Sequence, residues 1–333
     1  MPILNIADLT YSELNRMDPS RCFVLASFSP IEVHGPHLPL GEDIFTAEVL
    51  GKMTADKIIA QHADWNLLFL PPTMVAADAV PRLGTVTFPP HMVRDVAYHT
   101  MLPFARAGFA RLGFSSFHGG PRHFLALEVA AHRLSALPGP SAAMSLFSAA
   151  LGRMKEGRLF FEAVENDAGF DLTLDQMRED HHAGFVETSL ALHLWPELVG
   201  DGWEDLPASV GKPLEGGQDS DSFLFDRGAT SLWDRVRNGA DTAASMARSI
   251  AHFKKSTYYG RPHAASARRG KKLLHALTEI AGELAVEFIE QGAAMDVHSP
   301  LWRARHLLLN KTVNEAFDRW LNSSPASPEE EQA

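Results

Sequence analysis

Apolar and polar positions along this chain fall into short buried runs followed by longer amphipathic segments. The run Cys22-Phe23-Val24-Leu25-Ala26-Ser27-Phe28, closed by Ser29-Pro30, predicts a buried strand. Residues 43–62 interleave Val49, Leu50, Met53, Ile58 and Ile59 with Lys52, Asp56 and Lys57, the pattern of a helix. Asn66-Leu67-Leu68-Phe69-Leu70 ends at Pro71-Pro72 as a second strand, and residues 84–88 read as a short extended piece. A helix is expected from Pro90 or His91 to residue 107, since proline is tolerated in a first turn, with Gly108 as terminator. Residues 110–117 predict a further strand and 121–137 a further helix, while 143–149 fit either. Strands alternating with helices imply an α/β fold, a mostly parallel sheet covered on both faces. Sites in such sheets form at the carboxyl ends of strands.

The pattern changes downstream. Residues 200–227 are rich in Gly, Asp, Ser and Pro and read as a long loop or lid. Residues 241–254, 264–292 and 300–321 look helical, and Leu273, Leu274, Leu277, Ile280, Leu284, Val286 and Ile289 give the middle one an apolar face. The expected organisation is a first domain over 1–235, a helical extension over 236–322 packed on it, and a disordered acidic tail over 323–333.

Composition narrows the function classes. The 333 residues, 45% hydrophobic and 21% charged, suit a soluble globular enzyme with a sizeable core. A net charge of −11 argues against non-specific nucleic-acid binding. The one cysteine, Cys22, cannot form an internal disulfide and is expected to be a small buried apolar residue. No run approaches the ~18 apolar residues of a membrane helix, and the first residues show no secretory pattern. A cytoplasmic protein with no membrane partner is expected.

Three stretches carry candidate chemistry. In Glu32-Val33-His34-Gly35-Pro36-His37-Leu38-Pro39-Leu40-Gly41-Glu42-Asp43, an extended backbone puts Glu32 and His34 on one side, a metal-ligand pair by type. Gly35-Pro36 and Pro39 keep the segment out of a helix. Asp43 either caps the following helix or turns its carboxylate back toward Glu32 and His34. Ser116-Phe117-His118-Gly119-Gly120-Pro121 follows a strand end, and its glycines permit close backbone approach. Asp180-His181-His182-Ala183-Gly184-Phe185-Val186-Glu187-Thr188-Ser189 leads into a helix near Gly184, with Glu187 in its first turn. Each alone also fits a solvated loop or a stabilised helix start.

Together they resemble the creatininase family of metal-dependent amidohydrolases. The first stretch fills all eight fixed positions of E-x-H-G-P-H-L-P-x-x-x-D, and the third fills D-x-H-A-G-x-x-E-T-S. The second departs from N-G-H-G-G-N, with Ser116 and Pro121 in place of both asparagines. The resemblance implies a three-layer α/β/α sandwich over roughly residues 20–200. It also implies two divalent ions (Zn, Mn or Fe) held by Glu32, His34, Asp43 and His118, with Asp43 bridging. Glu187 is either a ligand of the second ion or its outer partner, because creatininase places a ligand glutamate where this chain has Gly120. His182 becomes the proton shuttle, with Glu187 beside it. The implied reaction is hydrolysis of a non-peptide C–N bond in a small cyclic or linear amide by hydroxide bridging the ions. The family's homo-oligomers, often hexamers, set the expected assembly.

Arg82, Arg122 and His123 could meet an acidic group on the substrate, or could simply be solvated. A second reading is a non-catalytic relative, a small-molecule binding or assembly protein, suggested by the changed residues around His118 and the long C-terminal extension. A Ser/His/Asp hydrolase is a weak third, since no G-x-S-x-G elbow occurs.

Overall fold

A computed structural model describes residues 3–154, 157–210, 249, 251–291 and 298–322. Its centre is a parallel sheet of five strands: β1 (Ile3–Asn5), β2 (Cys22–Ser27), β3 (Asn66–Phe69), β4 (Arg111–Ser115) and β5 (Ala142–Ser145). The order is β1-β3-β2-β4-β5, every pair parallel. The labelled helices are α1 (Glu42–Gln61), α2 (Pro90–Arg106), α3 (Pro121–Ser135), α4 (Leu146–Arg153), α5 (Phe185–Leu194), α6 (Ala267–Gln291) and α7 (Lys311–Asn322).

The period-two rule sorts β2 into two layers. Val24 and Ala26 pack with Val93, Ala97 and Met101 of α2 and Phe124 and Leu127 of α3. Phe23 and Leu25 pack with Ala55 and Ile58 of α1 and Leu284 and Phe288 of α6. The result is the expected three-layer α/β/α sandwich. Helix α6 crosses both α1 and α5, and the approach to α5 is so close that a Cβ at Gly270 would lie 1.8 Å from the Ser189 carbonyl oxygen. At its far end the buried Arg111 guanidinium donates to the Phe288 and Ile289 carbonyls, 2.9 Å each. That satisfies carbonyls left open at a helix C-terminus and places a cation there.

Local differences from the sequence reading have local causes. Residues 143–149 are both candidates in succession, β5 turning straight into α4 at Ser145, whose hydroxyl meets that of Ser148 at 2.9 Å. Residues 84–88 form no strand; Val86 makes a lone bridge with Ile31 before Pro89 ends the pairing. The acidic tail, residues 211–227 of the candidate lid and residues 241–248 of the helix expected there lie outside the described residues. Among the described residues, no helix is long and apolar enough to cross a membrane.

Candidate metal centre

Chain direction changes at β2: the next strand, β3, lies on one side of it and β4 on the other. A crevice at such a switch point is the usual place for a site, and the segments leaving β2 and β4 carry Glu32, His34 and His118. Gly35 makes the turn that follows His34 possible. Its φ is +64°, and a Cβ there would lie 2.7 Å from His37 Nδ1. Asp43 sits in the first turn of α1 but caps nothing; Gly41 holds the N-cap position without a side-chain bond. The Asp43 carboxylate turns inward instead. Its Oδ1 is 3.5 Å from His34 Nε2 and its Oδ2 is 3.3 Å from His118 Nδ1.

Two donor clusters therefore share Asp43. One comprises Glu32, Asp43 and His118, the other His34, Glu42, Asp43 and Glu187, each with ligand atoms within 4.8 Å of one another. Glu32 Oε2 stands 3.0 Å from His118 Nδ1, and Glu187 Oε2 stands 3.7 Å from His34 Nε2. His182 joins Glu32 and His34 in a third grouping, its ring 4.2 Å from that of His34.

Each imidazole is oriented by one backbone carbonyl. His34 Nδ1 donates to Glu32 O at 3.0 Å, His118 Nε2 to Ala77 O at 2.9 Å, and His182 Nε2 to Val33 O at 2.8 Å. That leaves the second nitrogen of each ring facing inward: Nε2 of His34, Nδ1 of His118 and Nδ1 of His182. Imidazole nitrogens that face carboxylates this closely share either a proton or a metal cation with them. Glu32 Oε2, His34 Nε2, Glu42 Oε2 and Asp43 Oδ2 are all buried without a hydrogen-bond partner. The donor set of imidazole and carboxylate suits Zn, Mn or Fe, so these residues fit divalent ions.

The electrostatics of these side chains point the same way. Burial opposes charge on His34, yet Asp43, Glu187 and Glu32 hold its pKa well above the usual histidine value. Burial likewise opposes charge on His118, and Glu32 and Asp43 overcome it. Asp43 is pushed up by burial but held well below the usual carboxylate range by His34 and His118. Glu187 is driven to about 8, chiefly by burial and then by Asp43. Burial and then Glu187 raise Glu42.

Neighbouring residues show how the motifs are built. Ser116 Oγ accepts from the His118 N–H at 3.2 Å, shaping the turn where the family has asparagine. Asp180 accepts from the N–H groups of Phe185 and Val186, at 2.6 and 2.8 Å, and so caps α5. Ala183, at φ +47°, donates its N–H to Glu187 Oε2 and aims that carboxylate. His37 Nε2 meets Thr188 Oγ1 at 2.8 Å, joining the first motif to the third. Arg122 and His123 are not available to a substrate. Arg122 is buried against Asp78, with Nε to Oδ1 at 2.7 Å, and reaches Asn314 of α7 at 3.0 Å. His123 is buried, with Nε2 3.1 Å from Ser116 Oγ and 3.2 Å from the Phe28 carbonyl, and burial lowers its pKa to about 3. Arg82 donates to the Lys254 carbonyl at 2.6 Å. Two features escaped sequence reasoning: Glu42, and a wall made by residues 251–260. There Phe253 packs edge-on to His182 at 5.4 Å, and Tyr259 O accepts from the His182 N–H at 3.1 Å.

The family model for creatininase, creatinine amidohydrolase, matches residues 7–285. The chain belongs to the creatininase family. Creatininases are hydrolases, and this one is similar in fold to solved members. A manganese creatininase superposes with a TM-score of 0.55 at 17% identity, covering 86% of this chain and 99% of that one. A creatininase variant of Zn–Zn type gives 0.56 at 16% identity, covering 87% and 99%. By sequence, the mycofactocin precursor peptide peptidase of Mycobacterium ulcerans (strain Agy99) is 28% identical over 207 residues, 60% of this chain and 68% of that protein.

Proposed function

We propose that this creatininase-family protein is a dinuclear amidohydrolase that cleaves the C–N bond of a small cyclic or linear amide. The observation that carries the reading is Asp43, whose two oxygens face different imidazoles in two separate donor clusters. Glu32 and His118 would hold one ion with Asp43, and His34 and Glu187 the other. Two divalent ions bound there would bring a water's pKa toward neutrality and polarise the substrate carbonyl.

The chain's own acid–base group is His182. Its Nε2–H is tied to Val33 O, so Nδ1 is the atom that takes up and releases a proton, 4.0 Å from Glu187 Oε2. Burial, then the His34 charge, lowers its pKa to about 4, so at pH 7 the ring is neutral. Nδ1 takes the proton of the attacking water and passes it to the leaving nitrogen. Phe253 and the backbone of Tyr259 hold the ring in place for both transfers.

Similarity to a peptide peptidase favours a second reading, in which the amide belongs to a short peptide. Assembly into homo-oligomers belongs to the same proposal. Metal content per chain tests the centre, measured on protein purified without chelator. About two ions in the wild type and at most one in Asp43→Ala are expected. A wild type that holds no divalent ion after Zn or Mn is added back overturns the reading. Small cyclic amides, formyl amides and short peptides then separate the substrate classes. His182→Gln should keep its metal while kcat falls about 10²–10⁴-fold.

A further inference from the structure

Glu42 is the first residue of α1, where an acidic side chain ordinarily faces solvent and complements the helix dipole. This one does not. The residue is 0% exposed. Its Oε1 accepts from Thr46 Oγ1 at 2.8 Å, which fixes the carboxylate plane. Its Oε2 has no hydrogen-bond partner and lies 3.9 Å from His34 Nε2. Among the described residues, His34 is the one basic group within ion-pair distance of it, and His34 Nε2 is equally unpartnered. A buried carboxylate oxygen held in place and left open is unfavourable unless a cation completes it.

The backbone at Gly120 cannot supply a carboxylate. A Cβ at Gly120 would stand 2.4 Å from His118 Nε2 and 2.6 Å from Ala77 O, so no side chain reaches the centre from there. Glu42 approaches from α1, on the same side as Asp43, with its ligand atom within 4.8 Å of those of His34, Asp43 and Glu187.

We propose that Glu42 is a direct ligand of the ion on the His34 side, which is then held by one imidazole and the carboxylates of Glu42, Asp43 and Glu187. The inference rests on the dinuclear reading above. It makes the two positions chemically unequal. The His34 side carries three carboxylates, and the His118 side carries two, with Asp43 common to both. Oxygen-rich sets suit a harder ion of the Mn²⁺ type better than a softer one.

The test is Mn²⁺ titration of chelator-stripped full-length protein, followed by electron paramagnetic resonance and calorimetry. Wild type, Glu42→Gln and Glu32→Gln are compared. Two bound ions in the wild type, with Glu42→Gln weakening one by tenfold or more and sparing the other, is the expected result. Glu32→Gln should weaken the other position. Two ions bound by Glu42→Gln with wild-type affinities overturns the role of Glu42 and leaves the dinuclear reading standing. A wild type that binds no Mn²⁺ overturns both. Should Glu42→Gln not fold, anomalous diffraction from Mn²⁺-soaked wild-type crystals decides. A peak about 2–2.4 Å from Glu42 Oε2 supports the assignment, and a peak on the His34 side beyond that reach refutes it.

Discussion

Gly120 has φ −59° and ψ 120°, a conformation open to any residue, so alanine there adds no backbone strain. What alanine adds is one methyl group where no room exists. It would sit 2.4 Å from His118 Nε2 and 2.6 Å from the Ala77 carbonyl oxygen, the two atoms whose hydrogen bond fixes the His118 ring. The carbonyl is backbone, so the ring must swing. Losing that bond in a buried place is worth about 1–3 kcal/mol. Loss of an outer partner of a ligating histidine lowers metal affinity about 10–100-fold, or about 1.4–2.7 kcal/mol, so the two routes agree. The assay is competition with a calibrated chelator for Zn²⁺ or Mn²⁺. The control is Gly119→Ala, whose added methyl meets nothing within 4 Å. The expected result is a 10–100-fold loss at Gly120→Ala alone. A Gly120→Ala protein that holds metal as tightly as Gly119→Ala would falsify the assignment of Ala77 as the group that orients His118.

Two further expectations concern the frame around the centre. Arg122→Met strips the Nε and Nη2 donors from the largely buried Asp78 carboxylate while keeping the bond from its backbone N–H, and should cost about 3–5 kcal/mol in urea unfolding; a loss under about 1 kcal/mol refutes the pairing. Glu128, buried in α3, accepts from Ser299 N and Oγ at 3.1 Å each, and burial raises its pKa to about 7. The folded state thus binds a proton between pH 4.5 and 7 that the unfolded chain has lost, so this contribution to stability declines as pH rises through that window. Glu128→Gln removes the titration, and its stability relative to wild type should improve by about 3 kcal/mol from pH 5 to pH 8. An unchanged difference at the two pH values would refute the raised pKa.

Much of this was readable in the chain because the determinants are local. The alternation of Phe23 and Leu25 with Val24 and Ala26 sets the layers, and the position of Glu32, His34 and His118 just past strand ends sets the crevice. Glu42 was not readable, since a glutamate in a first helical turn has the same sequence signature whether it faces water or a cation. Arg122 and His123 looked like surface charge because their partners, Asp78, Asn314 and Phe28 O, lie 44, 192 and 95 positions away. The wall at residues 251–260 is still less visible. Its hydrogen bonds to Gly35 and His182 run through backbone atoms, which any sequence would supply.

That wall also fixes an order of events during synthesis. Gly35 N–H is held by Thr257 O at 2.8 Å, and His182 N–H by Tyr259 O at 3.1 Å. A chain that runs from β1 through α5 already carries every acidic and imidazole donor, but not the strap that holds two of their segments. The site is framed only once residue 260 is in place, so its geometry is a property of the longer chain rather than of its three motifs.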